Sequence, residues 1–261
     1  MLDAPDRIGN ASPMFPIRDH NPSATTPVAT RALIVANVAI FLLGLPAFQS
    51  DAALARFYAD WALIPARVTA GHGLQTFFTS MFLHAGWLHL LGNMLFLWIF
   101  GDNLEDTFGH ARFLLFYLLC GLAAAGCQIA IDPGSRLPMV GASGAIAGVM
   151  GGYLLLFPRA RIDLLLVFLV FFRVFVVPAW AVLGLWFVLQ AVEGAFSDPA
   201  QGGVAYSAHV GGFVAGLVLT LPVWLWRGGP ALWRATGGQP PHPAAAYVLR
   251  PSTIPRVRRR R

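Results

Sequence analysis

The strongest constraint on this chain is a succession of apolar runs, each near the roughly 20 residues an α-helix needs to cross a bilayer. They fall at about 31–48, 87–103, 111–131, 142–157, 177–195 and 206–226. In hydrocarbon every backbone N–H and C=O must be paired inside the protein, so repeated runs of this kind read as helices. The expectation is an all-α polytopic membrane protein whose six transmembrane helices form one domain over residues 31–226. Composition agrees, with 57% of residues hydrophobic and 11% charged. Residues 1–30 and 227–261 are rich in Pro, Gly, Ala and charged residues, cannot bury a core, and are expected to be disordered tails.

Two stretches resist simple assignment. Residues 49–83 form a long semi-polar loop whose Trp61, Phe77, Phe78 and Phe82 suit the membrane interface. In "IDLLLVFLVFFRVFVVPAW" Arg173 and Pro178 interrupt an otherwise long apolar run, so residues 162–175 are read as an interfacial connector before the fifth span. The first 30 residues lack the short apolar core of a cleavable signal peptide, and none is expected. Cys120 and Cys127 are seven residues apart in one helix, too far for a disulfide, and read as packing thiols.

Charge sets the orientation. All 18 basic residues are Arg, and the net charge is +6. Much of the excess is the cluster Arg256 and Arg258 to Arg261 near the last span, which suits a topology signal or anionic lipid rather than nucleic acid. With six spans, both termini share one side. Placing them in the cytoplasm puts fifteen arginines inside against Arg56, Arg67 and Arg136 outside.

That orientation aligns the second, fourth and sixth spans, which all run from outside to inside. They open with "WLHLLGNM", "GASGAIAG" and "SAHVGGFVAGL", so His89, Asn93, Ser143 and His209 lie at similar depth. The set suffices for acyl transfer. His209 can take the proton of Ser143. His89, the Asn93 amide and the Ser143 N–H can donate to an oxyanion, and His89 and Asn93 are one helical turn apart. Asp102, Glu105 and Asp106 lie at the inner end of the second span, so no acid completes a triad and the pattern is a Ser-His dyad.

Other readings compete. Gly144, Gly148 and Gly152 recur every fourth residue, which marks a close-packing helix face on which serine is common. Gly212 and Gly216 give a matching face beside His209, and close approach of the two faces is also what would join Ser143 to His209. A zinc site from His84, His89 and His209 lacks both a His-Glu-x-x-His pair and a carboxylate at that level, so neither metal nor cofactor is expected. The soluble hydrolase elbow needs Gly-x-Ser-x-Gly after a strand, whereas position 145 is Ala.

The ordered motifs "FPIRDHNP", "FLHAGWLHLLGNMLFLWIFGDNLED", "GASGAIAGVMGGYLLLFPRARI" and "AHVGGFVAGL" resemble those of rhomboid intramembrane serine proteases of the bacterial type, over about residues 14–226. The resemblance implies Ser143 as nucleophile, His209 as general base, His89 and Asn93 as oxyanion partners, and Glu105 as a structural residue. It further implies cleavage of transmembrane protein substrates near the outer face of a bacterial inner membrane. Two positions depart from the pattern. Gln75-Thr76 replaces a Trp-Arg pair in the first outer loop, and Ala147 stands where some members carry a tyrosine against the histidine, so another residue must orient His209. The rival classes are a non-catalytic rhomboid-like binder of membrane segments, which typically lacks the serine or histidine, and a transporter, which needs discontinuous helices.

Overall fold

The computed structural model describes residues 14–168, 171–197 and 203–239. In chain order these form β1 (Met14–Asp19), α1 (Val28–Gly44), α2 (Asp51–Trp61), α3 (Pro65–Thr69), α4 (Thr76–Thr79), α5 (Trp87–Phe108), α6 (His110–Ile131), α7 (Ser143–Leu156), β2 (Arg161–Phe168), β3 (Phe171–Pro178), α8 (Ala179–Phe196), α9 (Tyr206–Trp226) and α10 (Pro230–Thr236). The protein is a mostly helical, multi-pass membrane protein. Among the described residues, four helices are long and apolar enough to span by themselves: α1 with its 3-10 extension to Gln49, α6, α8 and α9. A fifth span is α5 if it is joined to the helical segment Thr76–Phe82, which meets it at 94°. The fourth expected span, α7, has 14 residues and so rises about 21 Å, short of the roughly 30 Å hydrocarbon core.

The short helix is the centre of the bundle. Every residue from Gly144 to Tyr153 is buried, with α5, α6 and α9 packed around it. Small residues make this possible. A Cβ at Gly212 would strike the Gly144 carbonyl oxygen and one at Gly216 that of Gly148, so α7 and α9 meet backbone to backbone. At the other end of the contact, a Cβ at Gly152 would lie 2.6 Å from Thr220 Oγ1. Gly151, outside the every-fourth-residue pattern, faces the Phe213 carbonyl. In contrast, α8 buries only Ala179 and Leu183 and lies on the periphery.

A three-stranded antiparallel sheet in the order β1-β2-β3 corrects two expectations. The interfacial connector is the β2-β3 hairpin, and the tail expected to be disordered through residue 30 is ordered from Met14 onward. The Leu, Val and Phe residues of β2 and β3 have the branched and aromatic character that suits strands, and β2 finds its backbone partners in β3 on one side and β1 on the other. Pro16, which has no N–H, sits on an edge strand next to an irregularity in register between Pro16 and Arg18. The tail after residue 226 is ordered at its start. Trp233 of α10 packs against Trp224, tilted by 50° with ring centroids 4.8 Å apart, and donates to the Leu155 carbonyl at 3.0 Å. The remaining parts of the two expected tails, residues 1–13 and 240–261, lie outside the described residues.

The end of the bundle nearest this sheet is held by polar contacts. Glu105 accepts from Ala29 N (2.8 Å), Thr30 N (2.8 Å) and Thr30 Oγ1 (2.7 Å), capping from α5 the first turn of α1, which has no side-chain cap of its own. His110 Nδ1 lies 2.5 Å from the same carboxylate. Asp106 accepts from the Ala24 and Thr25 backbone and the Thr25 hydroxyl. Asp163 binds Arg18 and His20, each at 2.6 Å, and Tyr153 donates to Asp19 at 2.7 Å.

Candidate active site

At the opposite end, Ser143 is the first residue of α7. No side chain caps this helix, so the N–H groups of its first turn have no intrahelical acceptor. His209 ends the first turn of α9, and the backbone contact between the two helices brings its Nε2 to 2.7 Å from Ser143 Oγ. His209 Nδ1 lies 2.6 Å from Gln190 Oε1 of α8. The Trp186 ring, one turn before Gln190, lies 5.7 Å from the imidazole at 34°. An amide oxygen only accepts, so Nδ1 carries the proton, Nε2 is bare, and the Ser143 hydroxyl donates to it.

His89 and Asn93 project from the first turns of α5. Ala85 N–H points at His89 Nδ1 at 3.3 Å, a long contact that leaves the ring proton on Nε2. That nitrogen faces a gap beside Gly141, where a Cβ would stand 2.7 Å from His89 Nε2 and 3.5 Å from Ser143 Oγ. Gly141 has φ 130°, a backbone angle that disfavours any side chain, so glycine here keeps the gap open. Asn93 is 8% exposed and its Nδ2 has no partner. Ser143, His209, His89, Asn93 and Gln190 all line one cavity of about 1000 Å3.

All four residues singled out from the spacing of the second, fourth and sixth spans thus border one space, while Glu105 is at the far end of α5. Gly144, Gly148, Gly212 and Gly216 form the α7-α9 contact beneath the site. His84, 3% exposed, lies edge-on to His89 with centroids 5.0 Å apart and no partner for either ring nitrogen. Among the described residues no three His, Cys, Asp or Glu side chains converge as a metal site. The segment between α1 and α5 is tied to the stretch before α7 by backbone rather than by Gln75-Thr76: Leu63 and Met139 exchange hydrogen bonds of 3.1 and 2.7 Å, and Gly141 N donates to Ser80 O at 2.9 Å. Sequence reasoning missed Gln190 and Gly141. The available signal for the first was a lone amide in an apolar span, where polar side chains tend to be functional; for the second there was none.

The Rhomboid domain family model matches residues 71–226, more than half of the chain. Rhomboid protein 1, mitochondrial, of Saccharomyces cerevisiae is 34% identical over 146 residues, covering 53% of this chain and 39% of that protein. Rhomboid-related protein 2 of Mus musculus is 31% identical over 157 residues, covering 57% and 47%. Rhomboid protease GluP of Bacillus subtilis is 41% identical over 76 residues, covering 29% and 14%. The aligned part is less than half the length of each of these relatives, which come from mitochondria-bearing and bacterial cells alike.

Proposed function

The chain belongs to the rhomboid family, and on that premise we propose that it is an intramembrane serine endopeptidase working through Ser143 and His209. The observation that carries the reading is the 2.7 Å contact between Ser143 Oγ and His209 Nε2 in a cavity that His89 and Asn93 also line. Ser143 Oγ attacks the scissile carbonyl as its proton passes to His209 Nε2. The carbonyl oxygen becomes an oxyanion in the gap beside Gly141, where His89 Nε2–H, the Asn93 amide and the unpaired N–H groups opening α7 receive it. His209 then gives its proton to the departing amine, leaving an acyl ester on Ser143. A water that yields a proton to His209 cleaves the ester and restores the hydroxyl.

The substrate class is a transmembrane segment of another protein, which reaches the cavity at the Ser143 end. The arginine distribution supports a cytoplasmic position for both termini and for the Glu105 end, with cleavage near the outer face. Residues 31–226 are the catalytic domain in this reading, with the β1 segment as a brace on it. Reconstituted with a reporter transmembrane substrate, the wild type should cleave and Ser143→Ala should not. A wild type that binds the segment without cutting it would make the chain a non-catalytic binder, and a Ser143→Ala variant that still cuts would remove the serine from the mechanism.

A further inference from the structure

We infer that Gln190 is the positioning residue of His209, fixing the tautomer that lets Ser143 be deprotonated. The inference rests on the reading of Ser143 and His209 as nucleophile and base, and takes up what that reading leaves open. A histidine paired to serine has two neutral forms, and only one is a base. With the proton on Nε2, His209 would donate to Ser143 Oγ and hold the hydroxyl as an acceptor. With the proton on Nδ1, it presents a lone pair to the hydroxyl. Something must select between them, and among the described residues no carboxylate is hydrogen-bonded to this ring.

The structure supplies an amide instead. Gln190 Oε1 stands 2.6 Å from Nδ1, on the opposite side of the ring from Ser143 Oγ at 2.7 Å. Trp186 and Gln190 are one turn apart on α8, so they present a ring and an acceptor to the same imidazole. The geometry limits both rotation of the ring about its own bond and transfer of its proton to Nε2. The other histidine lining the cavity, His89, has its Nε2 beside Gly141 and its Nδ1 against the Ala85 N–H.

Gln190 also acts differently in the two states of the reaction. In the resting enzyme its bond to Nδ1 joins two neutral groups. Once the Ser143 proton has moved to Nε2 the ring is a cation, and the same bond becomes charge-assisted and stronger. An interaction that strengthens in the transition state raises kcat and leaves substrate affinity alone.

The test uses the full chain in detergent or nanodiscs, with Gln190→Met, which keeps length and shape but lacks a comparable acceptor, and Gln190→Glu, whose ionised carboxylate retains one. Gln190→Met should lower kcat about 10- to 100-fold, the range expected for losing a hydrogen bond to a charged group, with KM and Tm close to wild type. Gln190→Glu should recover most of the loss. A second readout needs no turnover: in 15N-histidine NMR, with the His209 signals assigned by their disappearance in His209→Ala, the wild type should show protonated Nδ1 and bare Nε2, and Gln190→Met should lose that pattern. A Gln190→Met variant with wild-type kcat, or with Nδ1 still fully protonated, overturns the inference. So does equal damage by Met and Glu together with a lowered Tm, which is a packing role. If Ser143→Ala still cleaves, the underlying reading fails. If that variant is dead while Gln190→Met is fully active, only the role of Gln190 falls.

Discussion

The polar groups gathered at the two ends of α5 have opposite uses. At the Glu105 end the carboxylates of Glu105, Asp106, Asp163 and Asp19 all accept hydrogen bonds from elements distant in sequence, and the product is a fastened fold. At the His89 end the donors outnumber their acceptors. Asn93 Nδ2 is buried without a partner, His89 Nε2 faces a gap, and α7 begins without a cap. Buried groups are normally satisfied. The Asn21 side chain and Asn103 Oδ1 are also unpaired at the Glu105 end, but they sit apart from any nucleophile and base in contact. On the proposed function, the comparison separates polar groups that hold the chain together from polar groups arranged to receive charge that arises only during a reaction.

The largest expected effect tests whether the His89 end is chemical at all. Ser143→Ala and His209→Ala should each reduce cleavage at least about 10⁴-fold, because a pair acting as a unit fails when either member is lost. The Tm of Ser143→Ala should stay near wild type, since alanine suits a helix start in close packing. Comparable activity in either variant would dissolve the contrast between the ends.

Next in size is Asn93→Ala, which should slow turnover roughly 100- to 1000-fold, about 2.7–4 kcal/mol, the usual effect of removing one oxyanion donor. KM should change little. Weaker substrate binding with intact turnover would make Asn93 part of a docking surface.

The opposite end should respond in stability rather than chemistry. Glu105→Gln keeps one acceptor oxygen but puts an amide NH2 against the N–H of either Ala29 or Thr30, so at one of the two a donor faces a donor. The fold should lose about 1–3 kcal/mol, read as a lower Tm, while the fraction that remains folded turns over normally. A variant of unchanged Tm and low kcat would place Glu105 in the catalytic machinery and blur the division.

The smallest effect concerns β1. Burial, with the negative charge of Asp102 adding to it, raises the Asp19 carboxyl from its ordinary 3.8 to about 7. The folded chain therefore holds this proton more tightly than the unfolded one. Its contribution to stability is fully present below the unfolded value and is lost as pH rises through the folded value of about 7. Tm should fall modestly between pH 5 and 8, and Asp19→Asn should flatten that slope. A slope unchanged in Asp19→Asn would assign it to another group.

Much of this arrangement was legible in the sequence, for local reasons. Helical period puts His89 and Asn93 on one face, and glycines spaced by four announce that α7 and α9 touch, which brings Ser143 to His209. What was missed depends on contacts between distant residues. The β1 strand is fixed by pairing Met14 with Leu166 and Asp19 with Ile162, and no local pattern in a Pro-containing segment announces such a partner. The hairpin of β2 and β3 reads in isolation as one interrupted apolar run, because apolar period alone does not separate a strand from a buried helix. Gln190 was hidden in the same way: its spacing to Trp186 is visible, but its target lies on another helix. Glu105 was assigned a structural place, yet its use as the cap of α1 emerges only once the first turn of that helix is seen above it.

The most direct test of the central claim is covalent. Purified wild-type protein would be treated with a fluorophosphonate, digested, and mapped by mass spectrometry, beside His209→Ala and Glu105→Gln. The account expects one adduct, on Ser143, at a rate preserved in folded Glu105→Gln and lowered at least about 100-fold in His209→Ala. An adduct on another serine, or labelling of Ser143 that is indifferent to His209, would contradict it.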